Sequence, residues 1–562
     1  MTGPTKPEVD SARCFAAWLA ALFLVVLGAK LWVVQLYGSP MWLWDQWYEV
    51  LQFFKPWLEG RATGLDYFEP YNEHRIFCTR MLDMGVIVAN GRLEPLLQMT
   101  VDCFIYAGYV CALAFCLWDF LGRKSGGLIC CLLMPFFALP YAGENTIWAF
   151  DSQAYFQGVF SLATLVWMGF NPVSNWRWWL GLFCAVIGLF TMASGLLAPA
   201  AVAGLAILRM IKRRQFERND FITLGVGMVV AILGKCLLAP FPADEPLKAH
   251  SLAQFGAALL RYLSWPYYHA PEMAVLIAMP LILLAIVYFR PSFRESRAAE
   301  FLLVMALWSA LQSVALAYGR GNMGEEVPAS RYMDKLNIFV VASLFALLPL
   351  VRFRMNDAVA KKFAFLPLLV FAAVIFFGLV RMSQIVVENL LESTRLTNLV
   401  AEERVQKFMA DGNEKDFFEA PTVRPDPKVI EGVLLDPKLQ PIMPAANLAP
   451  SAAPVRGRFS AVSDALWRHA VTILYAGLVL SLVLIGAELA RNPKGLTWEN
   501  LPGLLVLLAL LASLGLTWAQ SPIHRETVER RLDNQLAIHF KFSNQPARAA
   551  FFEARAKALE GK

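Results

Sequence analysis

Trp42-Leu43-Trp44-Asp45-Gln46-Trp47 sets one carboxylate among tryptophans, and Tyr71-Asn72-Glu73-His74-Arg75 follows within the same polar stretch. Three more polar groups stand out further along: Glu144-Asn145, then Asp151-Ser152-Gln153, and Gly319-Arg320 followed by Ser330-Arg331-Tyr332. A carboxylate held near a substrate hydroxyl can take its proton. A guanidinium matches phosphate oxygens through its planar fork, and such cations stabilise charge on a departing phosphate. Brought together, these groups suit transfer from an anionic carrier to a hydroxyl. Each also has a plainer reading. Asp45 suits a helix cap, Trp42, Trp44 and Trp47 suit an interfacial aromatic belt, Glu73-His74-Arg75 suits a solvated loop of ion pairs, and Arg331 with Tyr332 suits a snorkelling helix anchor.

The elements that would position them are membrane helices. Of 562 residues, 57% are hydrophobic and 17% charged, with mean hydropathy +0.49, whereas soluble domains are roughly a quarter charged. The expected fold is therefore an all-α polytopic membrane protein. Apolar runs near 13 to 36, 95 to 118, 126 to 142, 153 to 171, 176 to 193, 195 to 210, 220 to 240, 271 to 289, 299 to 318, 333 to 351, 362 to 382, 467 to 489 and 500 to 519 predict roughly thirteen spans of ~20 residues. The first run lacks a small-residue cleavage site and reads as a retained anchor. The net charge of +6 is spread over short connections, which speaks for orientation rather than nucleic-acid binding.

With the N-terminus cytoplasmic, Arg123-Lys124, Lys212-Arg213-Arg214, Arg290 with Arg294 and Arg297, Arg352 with Arg354 and Lys361-Lys362, and Arg491 with Lys494 all fall inside, as positive-inside topology requires. The polar groups named above then share the outer face. Residues 76 to 90 contain Arg80 and Asp83 and read as a juxtamembrane helix, since a span there would invert every later loop. The loop 239 to 272, rich in Pro and aromatics, suits an interfacial helix, and the basic tail with His524, Arg525, Arg530 and Arg531 falls outside on this count. The chain divides into a membrane module at 1–384, an external Pro-rich, partly ordered segment at 385–466 suited to acceptor contact, a helix pair at 467–519 and a basic polar tail at 520–562. No internal repeat is apparent, against an inverted-repeat transporter. The nine cysteines lie almost all in apolar runs and read as small packing residues. His250 and His269 read as interfacial, and no spacing supports a metal site, leaving a metal requirement open.

The acidic residue opening an aromatic first loop, the Asn72-Glu73-His74-Arg75 closure, the Asn145 to Phe160 loop-and-helix and the Arg320 with Ser330-Arg331-Tyr332 pattern together resemble bacterial membrane glycosyltransferases of the GT-C superfamily, over roughly residues 10 to 385. The resemblance implies a GT-C-like helix bundle with juxtamembrane helices in its first external loop. It also implies inverting transfer of a sugar from a polyprenyl-phosphate donor to a cell-envelope acceptor, whether glycan, lipid or protein, at the periplasmic face of the bacterial inner membrane. On it, Asp45 is the catalytic carboxylate and His74, Arg75, Arg320 and Arg331, with Tyr332, are candidates for the donor phosphate. Trp44, Trp47, Asn145, Asp151 and Gln153 are candidates for substrate contact. Many relatives carry two adjacent acids, but Gln46 follows Asp45, so a second acid falls to Asp66, Glu69 or Glu73. The competing readings are an O-antigen polymerase or ligase, acting through arginines of late loops without a first-loop carboxylate, and a transporter or flippase with ionisable groups such as Asp102 and Lys235 along a path.

Overall fold

The computed structural model describes residues 6–323, 329–354, 366–412, 427–448 and 456–491, with parts of 509–558. Every regular element among them is helical, apart from one isolated bridge between Tyr71 and His74. Nine of these helices are long and apolar enough to cross a membrane, so the chain is an all-α polytopic membrane protein.

In chain order the helices are α1 (Lys6–Tyr37), α2 (Asp45–Glu49), α3 (Phe77–Asn90), α4 (Pro95–Leu121), α5 (Gly126–Ala138), α6 (Gly143–Ile147), α7 (Ser152–Ala163), α8 (Trp176–Gly188), α9 (Leu197–Arg213), α10 (Arg218–Cys236), α11 (Leu252–Leu263) and α12 (Met273–Tyr288). They continue with α13 (Ser296–Gly319), α14 (Met333–Arg354), α15 (Leu366–Val386), α16 (Glu392–Asp411), α17 (Pro427–Leu434), α18 (Ser460–Arg468) and α19 (Ala470–Arg491), and a single turn at Lys55–Leu58 and a helix at Pro546–Ala558 complete the α-helices among the described residues. Nine of the twelve predicted spans on described residues coincide with helices long and apolar enough to cross a membrane, against the roughly thirteen expected. Those at 153 to 171, 176 to 193 and 271 to 289 correspond to shorter helices of 12, 13 and 16 residues, the first prolonged by a π turn over Thr164–Met168. The predicted span at 500 to 519 lies almost wholly outside the described residues, as do His524, Arg525 and Arg531 of the tail and Lys361, Lys362 and Lys494.

Local chemistry sets the ends of the helices that frame the first loop. Pro95 opens α4, where a missing N–H leaves no bond unmade. Gly91 closes α3 at φ 84°, donating its N–H to the Ile87 carbonyl at 2.7 Å, the left-handed closure glycine favours. Helix α3 is 14 residues long, with Thr79, Arg80, Asp83 and Asn90 buried among its polar side chains. That length is below a bilayer span.

The bundle has two chemically distinct ends. Arg209 with Glu300 at 2.9 Å, Arg213 with Asp220 at 3.0 Å, Arg297 with Asp119 at 3.6 Å and Arg352 with Glu295 at 3.3 Å pair at one of them. The other end gathers the C-termini of α1, α10 and α13 and the N-termini of α7 and α14, where the polar motifs lie. Helix α19 packs along α1 at backbone distance, because a Cβ on Gly28 would come within 2.3 Å of the Leu474 nitrogen and one on Gly477 within 2.7 Å of the Val25 nitrogen.

Over the motif-bearing end lies a second apolar core. Trp42, Trp47, Phe53 and Phe54 of the first loop pack with Val405 and Phe408 of α16 and with Ile430, Val433 and Met443. Helix α15 continues through a π turn at Val387–Leu391 into α16, and residues 427–448 then clamp the loop. Leu93 N donates to Ile442 O at 2.8 Å, and Lys55 meets Asp436 at 2.5 Å. The Pro-rich run around Arg424-Pro425-Asp426 lies outside the described residues.

Candidate functional site

Asp45 opens α2, and the residue before it, Trp44, has φ 48° and ψ −113°. A bulky residue at positive φ costs on the order of 1–3 kcal/mol and persists only where its surroundings over-determine it. Those surroundings are visible. Trp42 Nε1 donates to Leu93 O at 3.0 Å, Trp47 Nε1 to Trp42 O at 2.8 Å, and Leu43 N to Gln46 Oε1 at 3.1 Å. The Trp44 ring meets Trp148 edge-on, centroids 4.9 Å apart. Trp44 occupies the capping position with no side-chain cap, so the carboxylate of Asp45, half-buried, is not consumed as the helix cap.

The second motif folds back as a tight turn. Tyr71 N donates to His74 O at 2.7 Å and His74 N to Tyr71 O at 3.0 Å. Asn72 between them sits at φ 51°, a conformation asparagine tolerates better than most residues. The turn brings the Tyr71 hydroxyl to the Asp45 carbonyl at 3.3 Å. It also seats His74 so that its Nδ1 accepts from Ala193 N at 3.3 Å, while Nε2 lies 3.6 Å from the Glu73 carboxylate. Burial, with Lys335 and Arg320 nearby, pushes His74 down to about 3. It is therefore a neutral imidazole whose Nε2 carries the donor proton. Burial pushes the Asp45 carboxyl up from the ordinary range, against the opposing influence of Tyr71 and Arg331 and with a further push from Glu73.

The cations arrive from α13 and α14. Arg331 pairs with Glu144, whose own N–H donates to Ser330 Oγ at 3.0 Å. Asn145 Nδ2 donates to Arg331 O at 3.1 Å and to Asp334 Oδ2 at 3.0 Å, and Asp334 also accepts from Tyr106 at 2.7 Å. Arg320 reaches Asp244 at 2.9 Å, Glu73 at 3.7 Å and the Tyr332 hydroxyl at 3.3 Å. Asp151 is buried beside Glu144, Arg331 and Asp45, and burial carries its carboxyl up to about 8. Gln153 Nε2 lies 3.5 Å from Asp151 Oδ1. Residues from four distant stretches thus meet in one mixed-charge cluster.

Four candidates are used differently. The Arg75 guanidinium donates to Leu237 O at 3.1 Å and Phe68 O at 2.6 Å, pinning the loop to the end of α10. Trp47 faces the aromatic core. Of the possible second acids, Asp66 accepts from the Thr63 backbone at 2.6 Å and its hydroxyl at 3.0 Å, and Glu69 is exposed. Glu73 is the one that meets the cluster. His250 and His269 are both exposed.

Sequence reasoning missed Lys335, Asp334, Asp244 and Lys30. Lys335 is buried, and its ammonium makes one described contact, with Met192 Sδ at 3.3 Å. It follows Arg331 by four residues and so shares its helical face. A lysine just inside an apolar run was the available signal. Lys30, buried in α1, donates to Thr146 at 3.1 Å and lies over the Tyr106 ring. Asp244 stands in a Pro-rich connection where spacing carries no signal. No family model matches the chain, and neither the curated proteins nor the solved structures searched give a match.

Proposed function

We propose that the protein is a membrane glycosyltransferase that moves a sugar from a polyprenyl-phosphate donor to an acceptor hydroxyl of the cell envelope, at the periplasmic face of the inner membrane. The observation that carries this reading is the pairing pattern inside the cluster. Glu144 and Asp244 are each bound to an arginine, whereas Asp45, half-buried, has no cation at ion-pair distance among the described residues. Across from it Arg331 is oriented by Glu144, and Lys335, with Asp151 and Asp334 acting on its charge from beyond ion-pair distance, makes no ion pair among the described residues. One side can accept a proton and the other can hold a phosphate.

The chemistry is a single displacement. A carboxylate oxygen of Asp45 takes the acceptor proton as the acceptor oxygen bonds to the anomeric carbon. The bond from that carbon to the carrier phosphate breaks, its electron pair stays on the phosphate oxygen, and the configuration inverts. Lys335, Arg331 and the Nε2–H of His74 receive the growing negative charge. Such preoriented donors act most strongly where water is scarce. The segregation of basic loops to the opposite end supports a cytoplasmic placement for them.

A transport reading finds less support. Asp102 is buried, whereas Lys235 is exposed at the end of α10, so the two do not share an interior path. An O-antigen polymerase or ligase would use the arginines but not Asp45, and loss of activity on removing that carboxylate separates the two. The test is carrier consumption and product anomer in nanodiscs with a panel of polyprenyl-phosphate sugars. The expected result is one inverted glycoside. Lys335→Gln is expected to lower kcat/KM for the carrier by about 10–100-fold, the worth of a charged hydrogen bond. No consumption of any carrier would refute the reading.

A further inference from the structure

Beside Asp45 the first loop and the turn after α6 build an aromatic step. Trp44 is half-buried and meets the buried Trp148 edge-on at 4.9 Å, and Trp148 in turn lies 5.9 Å from Phe150. The Trp44 backbone is held at positive φ, and the loop spends conformational strain to present this ring next to the carboxylate. Within six residues of Trp148, four buried polar atoms have no partner among the described residues: Asn145 Oδ1, its own Nε1, Asp151 Oδ2 and Gln153 Oε1. Buried polar groups are nearly always satisfied, so each such atom calls for a partner from elsewhere.

The ligand chemistry that answers this set is narrow. A flat apolar face is needed for Trp44. An acceptor is needed for an indole N–H, donors are needed for the amide oxygens of Asn145 and Gln153, and the Asp151 carboxyl, which at about 8 holds its proton at neutral pH, can take either kind of partner. A pyranose ring offers all three, with C–H bonds on its face and hydroxyls that both donate and accept around its rim. A serine side chain lacks the face, and a glycerol headgroup lacks the ring that would rest on it.

We infer that Trp44, Trp148, Asp151 and Gln153 form a pyranose subsite beside Asp45, and that the acceptor is consequently a glycan presenting a ring hydroxyl, not a protein or a lipid headgroup. The assignment of this ring as acceptor rests on the transferase reading above; the subsite itself does not. Trp44 sets the plane of the ring, and Trp148, Asp151 and Gln153 fix its rotation, which decides the hydroxyl that reaches Asp45.

Saturation-transfer NMR on the full chain in nanodiscs tests this with methyl pyranosides of gluco, galacto and manno configuration, against a serine peptide and glycerol phosphate. At least one pyranoside is expected to receive saturation, strongest on the C–H bonds of one face, with no comparable signal from the other two probes. Trp44→Ala is expected to weaken binding about tenfold and Trp44→Phe by less, and Trp148→Phe, which keeps a ring and removes the N–H, is expected to weaken it too. Thermal midpoints identify any variant that has lost its fold. Equal binding by wild type and a folded Trp44→Ala, or no preference for pyranosides over the peptide and glycerol phosphate, would overturn the subsite. Pyranoside binding lost with Trp44 in a protein that consumes no carrier would leave the subsite standing and remove the transferase.

Discussion

Asp45→Asn is expected to lower sugar transfer by about 10²–10⁴-fold, the usual worth of a positioned general base, while the protein remains folded. The amide keeps the shape of the carboxylate but cannot hold the proton. Folding is spared because no cation is left unpaired: Asp45 makes no ion pair among the described residues, and its electrostatic neighbours Arg331 and Glu73 keep their own contacts. The same carboxylate sets a pH dependence. Burial raises its pKa, and the base works only when ionised, so kcat/KM is expected to rise with pH along a limb lying above the ordinary carboxylate value near ~4. Below that limb the acceptor keeps its proton. For stability the sign is reversed, since a carboxyl raised in the folded state favours folding at low pH and loses that contribution as pH climbs from the unfolded value through the folded one. A limb at or below the ordinary value would place the base elsewhere.

Arg80→Ala is expected to give the largest loss of stability in the first loop. Arg80 is 3% exposed and binds Glu49 with two nitrogens, at 2.5 and 3.2 Å. Its remaining nitrogen donates to the carbonyls of Asp66 at 3.0 Å and Glu69 at 2.7 Å. One guanidinium therefore ties α2, the loop and α3 together. Removing it strands Glu49, itself 2% exposed, and breaking a buried pair from one side costs roughly 3–5 kcal/mol. A lowered thermal midpoint for Arg80→Ala, with partial recovery in Arg80→Ala combined with Glu49→Gln, is the expected result. An unchanged midpoint would show that the pair does not hold the loop.

The fold class was legible because lipid leaves few choices: a chain this apolar must satisfy its backbone internally, and helices do so. The runs at 13 to 36, 299 to 318 and 333 to 351 coincide with helices for that reason. The shorter helices at α8 and α12 show where apolar composition alone overstates length, since α8 stops at Gly188 and α12 begins only at Met273, after the Pro271 turn.

At the candidate site, residue types at loop ends were readable, and Asp45, Glu73, His74, Arg320 and Arg331 do share neighbours. Partners were not readable. Glu144 closing on Arg331, nearly 190 residues away in sequence, follows from how α6 and α14 pack, which no linear pattern encodes. Arg75 and Arg80 show the converse. Both are arginines in the same loop, and their carbonyl and Glu49 contacts make them scaffolding, whereas Lys335, hidden in an apolar run, faces the cluster.

The most direct measurement is a cryo-EM structure of the Asp45→Asn chain in nanodiscs with a polyprenyl-phosphate sugar that the wild type consumes. The account predicts the carrier phosphate within hydrogen-bond reach of Lys335 and Arg331, and the anomeric carbon between that phosphate and residue 45. A carrier seated with its phosphate away from both cations, or with its sugar turned from residue 45, would contradict it.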